Sequence, residues 1–527
     1  MLFRYQNLLP AMDSATPFPA ENLTTTTTRE FKHHVVMFPF MAQGHIIPFL
    51  ELAKLLAKRT GFAITIANTP LNIRSLRPEI DSTGAGLDIR LAELPFSTAG
   101  HGLPPQTENT DFLPYNLFFP FLQASEQLEP HFERLICRIC QEDGGRLPLC
   151  IISDMAFGWT LDVGNRLGIP RIQFCTAGAY GTSVYYSLWT HLPHNQTHAD
   201  DFVLPDMPHV TLQRSQLPTN IKMATGSDPW SLFMNRQISR NVRSWGSICN
   251  TFEQLEHSSL QHMRKSTGRP VWAVGPILPS SLLSSSPSNT KLDSDFLLRG
   301  KQTEAKSARA CLQWLDSQAP STVLYVSFGS QNSISLSNMK ALALGLESSQ
   351  QPFIWVVRPP VEAPLNSELS AEFLSDGFEE RVKEKKLGLL IRKWAPQLLI
   401  LSHPSTGGFL SHCGWNSVLE SLSQGIPIIG WPMAGDQFTN SKVLEEEMEV
   451  CIEMWRGKEG ELKPETVERT VRMVMKEEKG NRLRQRAAEI REAALKAVSE
   501  DKNGEKKGSS VCAVDDMIRE LTVGYQC

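Results

Sequence analysis

The hydrophobic pattern of this chain runs through one α/β series and then restarts halfway along. Residues 33–40 (HHVVMFPF) are a β-branched and aromatic run, stopped by a turn at Gly44 and followed by apolar positions at helical spacing over 46–58. That order predicts strand, turn and helix. Further strands are predicted at 62–67, 87–91, 149–153 and 171–175, with a helix over 158–167. A Ser/Pro-rich stretch without periodicity, 279–298, reads as a linker. Beyond it, strands at 322–328, 352–357, 388–392, 408–411 and 427–430 are interleaved with helices at 337–348 and 418–423. Strands alternating with helices predict parallel, doubly wound sheets, so the fold class is α/β with two domains, 32–278 and 299–527. The last helix, about 509–522, is a candidate to pack back on the first domain. Residues 477–507, rich in Lys, Arg and Glu at helical spacing, read as a solvated helix face, and no repeat of 20 to 50 residues is visible.

Composition narrows the partners. The 527 residues suffice for two large domains, and 41% apolar with 20% charged residues excludes a wholly disordered or fibrous chain. Fifty-two basic against 56 acidic residues give a net charge of −4, which provides no field for nucleic acid, so small molecules are the expected partners. No run approaches the roughly 18 apolar residues of a membrane span. Residues 1–31, with five consecutive threonines at 24–28, lack an apolar signal core and are expected to be a disordered leader, with Met1 and Met12 both open as starts. Ten scattered cysteines fit a reducing cytosol; Cys137 and Cys140 form the one close pair, and neither a second pair nor a nearby histidine completes a metal site. A cytoplasmic protein is expected.

The densest chemistry lies in 394–437, WAPQLLILSHPSTGGFLSHCGWNSVLESLSQGIPIIGWPMAGDQ. A strand ends there at His412, and a helix opens after Cys413 and Gly414. The start of a helix presents unpaired N–H groups and a positive dipole end, where a diphosphate binds without a metal, and Gly414 lets the backbone come close. Ser417 and Glu420 also match a capping box, which would fold Glu420 back on the helix start. Trp394 suits stacking on a nucleobase or burial in a core. His412 suits a phosphate or a strand end, and Asp436 with Gln437 suits bidentate binding of sugar hydroxyls.

The window resembles the 44-residue signature box of the plant family 1 UDP-glycosyltransferases, and the resemblance extends to YVSFGS at 325–330 and NTFE at 250–253. It implies the GT-B architecture, two facing Rossmann-like domains with the donor held mainly by the second and the acceptor by the first. The implied donor site has Trp394 stacked on uracil, Ala395 (through its backbone) and Gln397 at the base and ribose, and Glu420 on both ribose hydroxyls. His412, Ser330, Asn416 and Ser417 would contact the diphosphate, and Trp415, Asp436 and Gln437 would line the hexose. A glutamine at the end of the box, here Gln437, implies UDP-glucose.

Transfer to a hydroxyl also needs a base, and a histidine titrates in the right range. His45 lies at the first strand-to-helix turn, where the helix dipole is expected to disfavour the imidazolium; capping of the turn is the alternative. Asp154 ends a neighbouring strand and can orient the imidazole or cap the following helix. In doubly wound sheets the carboxyl ends of the strands share one crevice, so the two can meet. Both positions match the family's catalytic His and its partner Asp, which implies inverting transfer of glucose. No Asp-x-Asp ends a strand, and neither metal nor cofactor is expected. Aromatic residues Phe118, Phe119, Phe121, Tyr180, Tyr185, Tyr186, Trp189, Trp230 and Phe233 are expected partly in the core and partly along an apolar acceptor cleft. A monomer is expected. A UDP-sugar epimerase or hydrolase on the same fold, or a catalytically silent nucleotide-sugar sensor, are the rival readings.

Overall fold

Fifteen strands organise the described residues. In order they are β1 (His34–Phe38), β2 (Ala63–Asn68), β3 (Ile89–Glu93), β4 (Cys150–Asp154), β5 (Arg171–Cys175), β6 (Asp201–Leu204), β7 (Met207–Gln213), β8 (Gly246–Cys249), β9 (Val271–Ala273), β10 (Val323–Ser327), β11 (Phe353–Val357), β12 (Gly388–Arg392), β13 (Thr406–Ser411), β14 (Ile428–Gly430) and β15 (Cys451–Glu453). The structure, a computed structural model, describes residues 32–82, 86–111, 113–279, 282–283, 302–363, 371–392, 394–501 and 503–524. The leader, 1–31, and nearly all of the linker expected at 279–298 lie outside the described residues.

The first sheet has the order β3-β2-β1-β4-β5-β8-β9 and the second β12-β11-β10-β13-β14-β15. Every pairing within both is parallel. The chain direction across each sheet reverses at one point, between β1 and β4 in the first and between β10 and β13 in the second, and such switch points open the crevices in which doubly wound folds bind ligands. Strands β1, β4, β5, β10 and β13 are buried throughout; β1 and β10 read as nearly continuous apolar runs, whereas β4, β5 and β13 also bury polar or glycine positions. Strands β8, β9 and β15, of three or four residues each, are too short for the periodicity reading, and it also passes over the antiparallel hairpin β6–β7, whose strands mix buried and exposed positions.

The helix Gln43–Thr60 follows β1 and stops at Gly61, whose φ of 70° is a left-handed cap that glycine adopts without steric cost. Its apolar side, with Phe49 and Leu52, lies in a core shared with Trp272 and with Val514, Met517 and Leu521 of the last helix, Ser509–Gly524. The last helix thus packs on the face of the first sheet. Another core joins the two sheets' layers: Trp415, Val418 and Leu422 pack in one cluster with Phe38, Trp159 and Phe252. The basic and acidic stretch near the end forms the helix Glu478–Ala497, which buries Leu483, Ala487, Ile490 and Ala494, so it carries an apolar stripe as well as a solvated face.

Candidate functional site

Each crevice is built from loops at the carboxyl ends of strands. In the first sheet, β1 leads into the helix Gln43–Thr60, whose third residue is His45, and the adjacent β4 ends on Asp154. Residues 109 apart in sequence meet: His45 Nδ1 lies 2.6 Å from Asp154 Oδ2. The other carboxylate oxygen accepts the Ala156 N–H at 2.9 Å, so Asp154 both caps the following turn and orients the imidazole; the two alternatives are realised together. Asp154 is fully buried, whereas the His45 side chain is 30% exposed. With Nδ1 committed to Asp154, Nε2 is the nitrogen left to accept a proton. Phe40 meets the imidazole edge-on with centroids 5.3 Å apart.

Burial opposes the charged form of His45, but the charge and hydrogen bond of Asp154, and the charge of Asp436, outweigh it and hold its pKa above the ordinary 6.5. This corrects the expectation that the helix dipole would govern the ring: two carboxylates act on it, and both favour the imidazolium. Thr176, just past the end of β5, was not singled out by sequence reasoning; its hydroxyl is 3.2 Å from His45 Nδ1. Its place at a strand's carboxyl end was the available signal.

In the second sheet, β13 ends at Ser411, and His412, Cys413 and Gly414 turn the chain into the helix Trp415–Leu422. Cys413 is buried in a left-handed conformation, φ 61°, which is unfavourable for a residue with a side chain and is held here by its N–H on Ser411 Oγ and its carbonyl on Asn440 Nδ2. The imidazole of His412 lies between two glycines. A Cβ on Gly329 or Gly414 would come within 2.7 or 2.5 Å of its ring. Burial, and then the nearby Arg358 charge, push its pKa down to about 4, so at neutral pH it is an uncharged ring; its Nδ1 has no partner among the described residues. Ser330 follows β10 in the same crevice, and its carbonyl accepts from Arg358 Nη1.

The capping box does not form. Gly414 caps the helix with no side-chain bond, and Ser417 sits inside its first turn because the helix opens at Trp415, three residues earlier than expected. Ser417 and Glu420 instead receive the amide of Gln397, at 3.0 and 2.6 Å, while Gln397 Oε1 accepts from Tyr325 at 3.2 Å. Trp394, three residues before Gln397, is 36% exposed and so is not a core tryptophan, while its neighbour Ala395 is buried.

The helix start also joins the two crevices. Asn416 Nδ2 donates to the carbonyl of Gly44 at 2.7 Å, next to His45. The Trp415 indole donates to Asn250 O at 2.7 Å and is 3% exposed, against Gly178. Its ring is therefore buried between the domains and is not available to line a hexose, which corrects the expectation for that side chain. Asp436 caps the helix Gln437–Glu446 and binds Asn440 Nδ2 at 3.0 Å; burial raises its pKa, and its charge is felt at His45. Gln437 Oε1 accepts the N–H groups of Met433 and Ala434, which fixes the loop before it.

On the other side of His45, aromatic rings run outward. Phe40 contacts Phe118 and Phe121, Phe118 stacks with Trp230, and Trp230 with Trp189. Phe121, Tyr180, Trp189 and Phe233 are buried, whereas Phe118, Phe119, Tyr185, Tyr186 and Trp230 are half-buried. Among the described residues no group of three or more His, Cys, Asp or Glu converges as a metal cage, and no helix is long and apolar enough to cross a membrane.

Comparison with known proteins agrees in kind. The profile of the UDP-glucoronosyl and UDP-glucosyl transferase family matches residues 253–486. UDP-glycosyltransferase 92A1 of Arabidopsis thaliana is 40% identical over 498 residues, 93% of this chain and 97% of its own. Crocetin glucosyltransferase 3 of Crocus sativus is 43% identical over 457 residues, 85% of this chain and 92% of its own. Among solved structures, UGT73P12 of Glycyrrhiza uralensis complexed with glycyrrhetinic acid 3-O-monoglucuronide superposes with a TM-score of 0.79 at 30% identity, covering 94% of this chain and 96% of that one. UGT71G1 of Medicago truncatula complexed with UDP-glucose gives 0.73 at 27% identity, covering 93% and 98%.

Proposed function

This chain belongs to the plant UDP-glycosyltransferase family, and from that premise we propose that it transfers glucose from UDP-glucose to a hydroxyl of a lipophilic small molecule, with inversion and without a metal. The observation that carries the reading is the junction of the two crevices. The helix start fitted to a diphosphate is bonded through Asn416 to the residue before the candidate base. Trp394, Ala395, Gln397 and Glu420 are the groups for the nucleoside; Ser330, His412, Asn416 and Ser417 for the diphosphate; Asp436 and Gln437 for the hexose. His45 Nε2 takes the acceptor's hydroxyl proton as that oxygen bonds to the anomeric carbon. The bond from that carbon to the phosphate oxygen breaks, and UDP leaves with the electron pair toward the helix start. Asp154 stabilises the imidazolium so formed. The fixed N–H groups and dipole there stabilise the leaving charge.

The experiment is product formation with a panel of UDP-sugars and aglycones, read by mass spectrometry with and without chelator. UDP-glucose consumed only when an aglycone is present supports the reading; loss of activity with chelator removes its metal-free part, and donor consumption without acceptor favours a hydrolase. The ring series from Phe40 to Trp189 supports a lipophilic acceptor. Trp230→Ala is expected to raise the acceptor KM by about tenfold, from lost apolar contact worth roughly 1.5 kcal/mol, with the UDP-glucose KM unchanged. The pH profile follows from His45. Its pKa is raised, so the imidazolium persists above pH 6.5 and the base is lost as pH falls. The acidic limb of kcat/KM against pH is therefore expected above 6.5, and a limb well below it contradicts the assignment.

A further inference from the structure

Behind the His45–Asp154 pair lies a cation with no part in the displacement itself. Arg171, the first residue of β5, is 1% exposed. Its guanidinium donates to Ser153 Oγ at 2.8 Å, Asn241 Oδ1 at 2.8 Å, Ser244 Oγ at 2.6 Å, and the main-chain carbonyls of Asp154 and Ser153 at 2.9 and 3.5 Å. None of these acceptors is charged. An ion taken out of water without a counter-ion is unfavourable, and burial pulls the Arg171 pKa down to about 10, which still leaves it protonated at neutral pH. The groups whose charge reaches it are Tyr186, Asp154 and Cys175. Tyr186 is a phenol that burial pushes well above its ordinary pKa, with its hydroxyl bonded to Gln173 Nε2 at 2.7 Å. Asp154 is the carboxylate of the three.

We propose that Arg171 is a positioning residue for the His45–Asp154 pair: its buried guanidinium clamps the end of β4 and supplies a permanent positive charge that biases the pair toward the neutral imidazole. The proposal rests on His45 acting as the base. Asp154 is then fixed at three points. Its carbonyl is on Arg171 Nη2, Oδ1 on the Ala156 N–H, and Oδ2 on His45 Nδ1. Asp154 on β4 and Asp436 from the second domain both favour a proton on His45. Arg171, which holds the Asp154 carbonyl at 2.9 Å and feels the Asp154 charge, is the cation behind that pair. Removing its charge makes proton uptake by the pair easier, so the acidic limb of the kcat profile moves to higher pH.

The test compares the pH dependence of kcat at saturating UDP-glucose and acceptor for the wild type, Arg171→Met, Arg171→Lys, Asn241→Asp and His45→Ala, with circular dichroism as the check on folding. Arg171→Met is expected to lower kcat on the order of 10- to 100-fold, to leave the UDP-glucose KM within about threefold, and to raise the acidic limb by roughly half a unit or more. Arg171→Lys retains the charge and restores the position of the limb. Asn241→Asp keeps the guanidinium and its packing but neutralises it through Nη1, and moves the limb upward as Arg171→Met does. A folded Arg171→Met or Asn241→Asp enzyme whose limb coincides with the wild type overturns the proposal, whatever its kcat. If His45→Ala is active, the base assignment falls and this proposal with it; if His45→Ala is inactive while the limb stays in place, this proposal alone falls.

Discussion

His45→Ala is expected to lower kcat for glucoside formation by about 10³-fold or more, while the Kd for UDP stays within about threefold of the wild type. Two features make the loss this large. The ring is held at Nδ1 by a fully buried carboxylate at 2.6 Å, so no water can take its place with the same orientation and charge stabilisation. The acceptor hydroxyl is also a poor nucleophile until its proton is withdrawn. Binding is expected to persist because the groups proposed for uridine and diphosphate belong to the second domain, in the turns and helices that follow β10, β12 and β13. Calorimetry with UDP and initial rates with UDP-glucose check both halves. Undiminished turnover removes His45 from the base role, and loss of UDP binding shows the substitution to have disturbed the junction at Gly44.

Glu420→Ala is expected to act on the other side of the reaction. It should raise the UDP-glucose KM on the order of 100-fold with kcat much less affected, since hydrogen bonds from two ribose hydroxyls to a carboxylate together contribute about 3 kcal/mol. The substitution also deprives Gln397 Nε2 of its 2.6 Å acceptor, leaving Ser417 Oγ as the partner of that amide. A KM within threefold of the wild type, measured by initial rates over donor concentration, places the ribose elsewhere.

Local pattern carried much of this architecture. Strands β1, β4 and β10 are legible because burial on both faces writes short apolar runs, and the window 394–437 is legible because its spacing matches a known box. Three things were not. Ser417 and Glu420 stand at capping-box spacing, and that spacing is equally what puts two side chains on one helix face toward Gln397; only the observed helix start, at Trp415, separates the readings. The family resemblance implies a sugar-facing Trp415, yet its indole goes to the carbonyl of Asn250, 165 residues away, a contact decided by how the two sheets pack. Arg171 begins a strand that looks uniformly buried, and nothing local says that its guanidinium reaches the end of β4. The His45–Asp154 pair lies between these cases, since the shared crevice of a doubly wound sheet makes the meeting possible and the fold brings the two within 2.6 Å.

In the proposed reaction the acceptor oxygen attacks from the His45 side while UDP departs toward the Trp415–Leu422 helix start, in one displacement. The most direct test is the anomeric configuration of the first product formed from α-linked UDP-glucose, read by proton NMR before any hydrolysis. A β-glucoside is the predicted result. An α-glucoside would require attack from the departing side or a covalent intermediate, and would contradict the arrangement of base and leaving group described above.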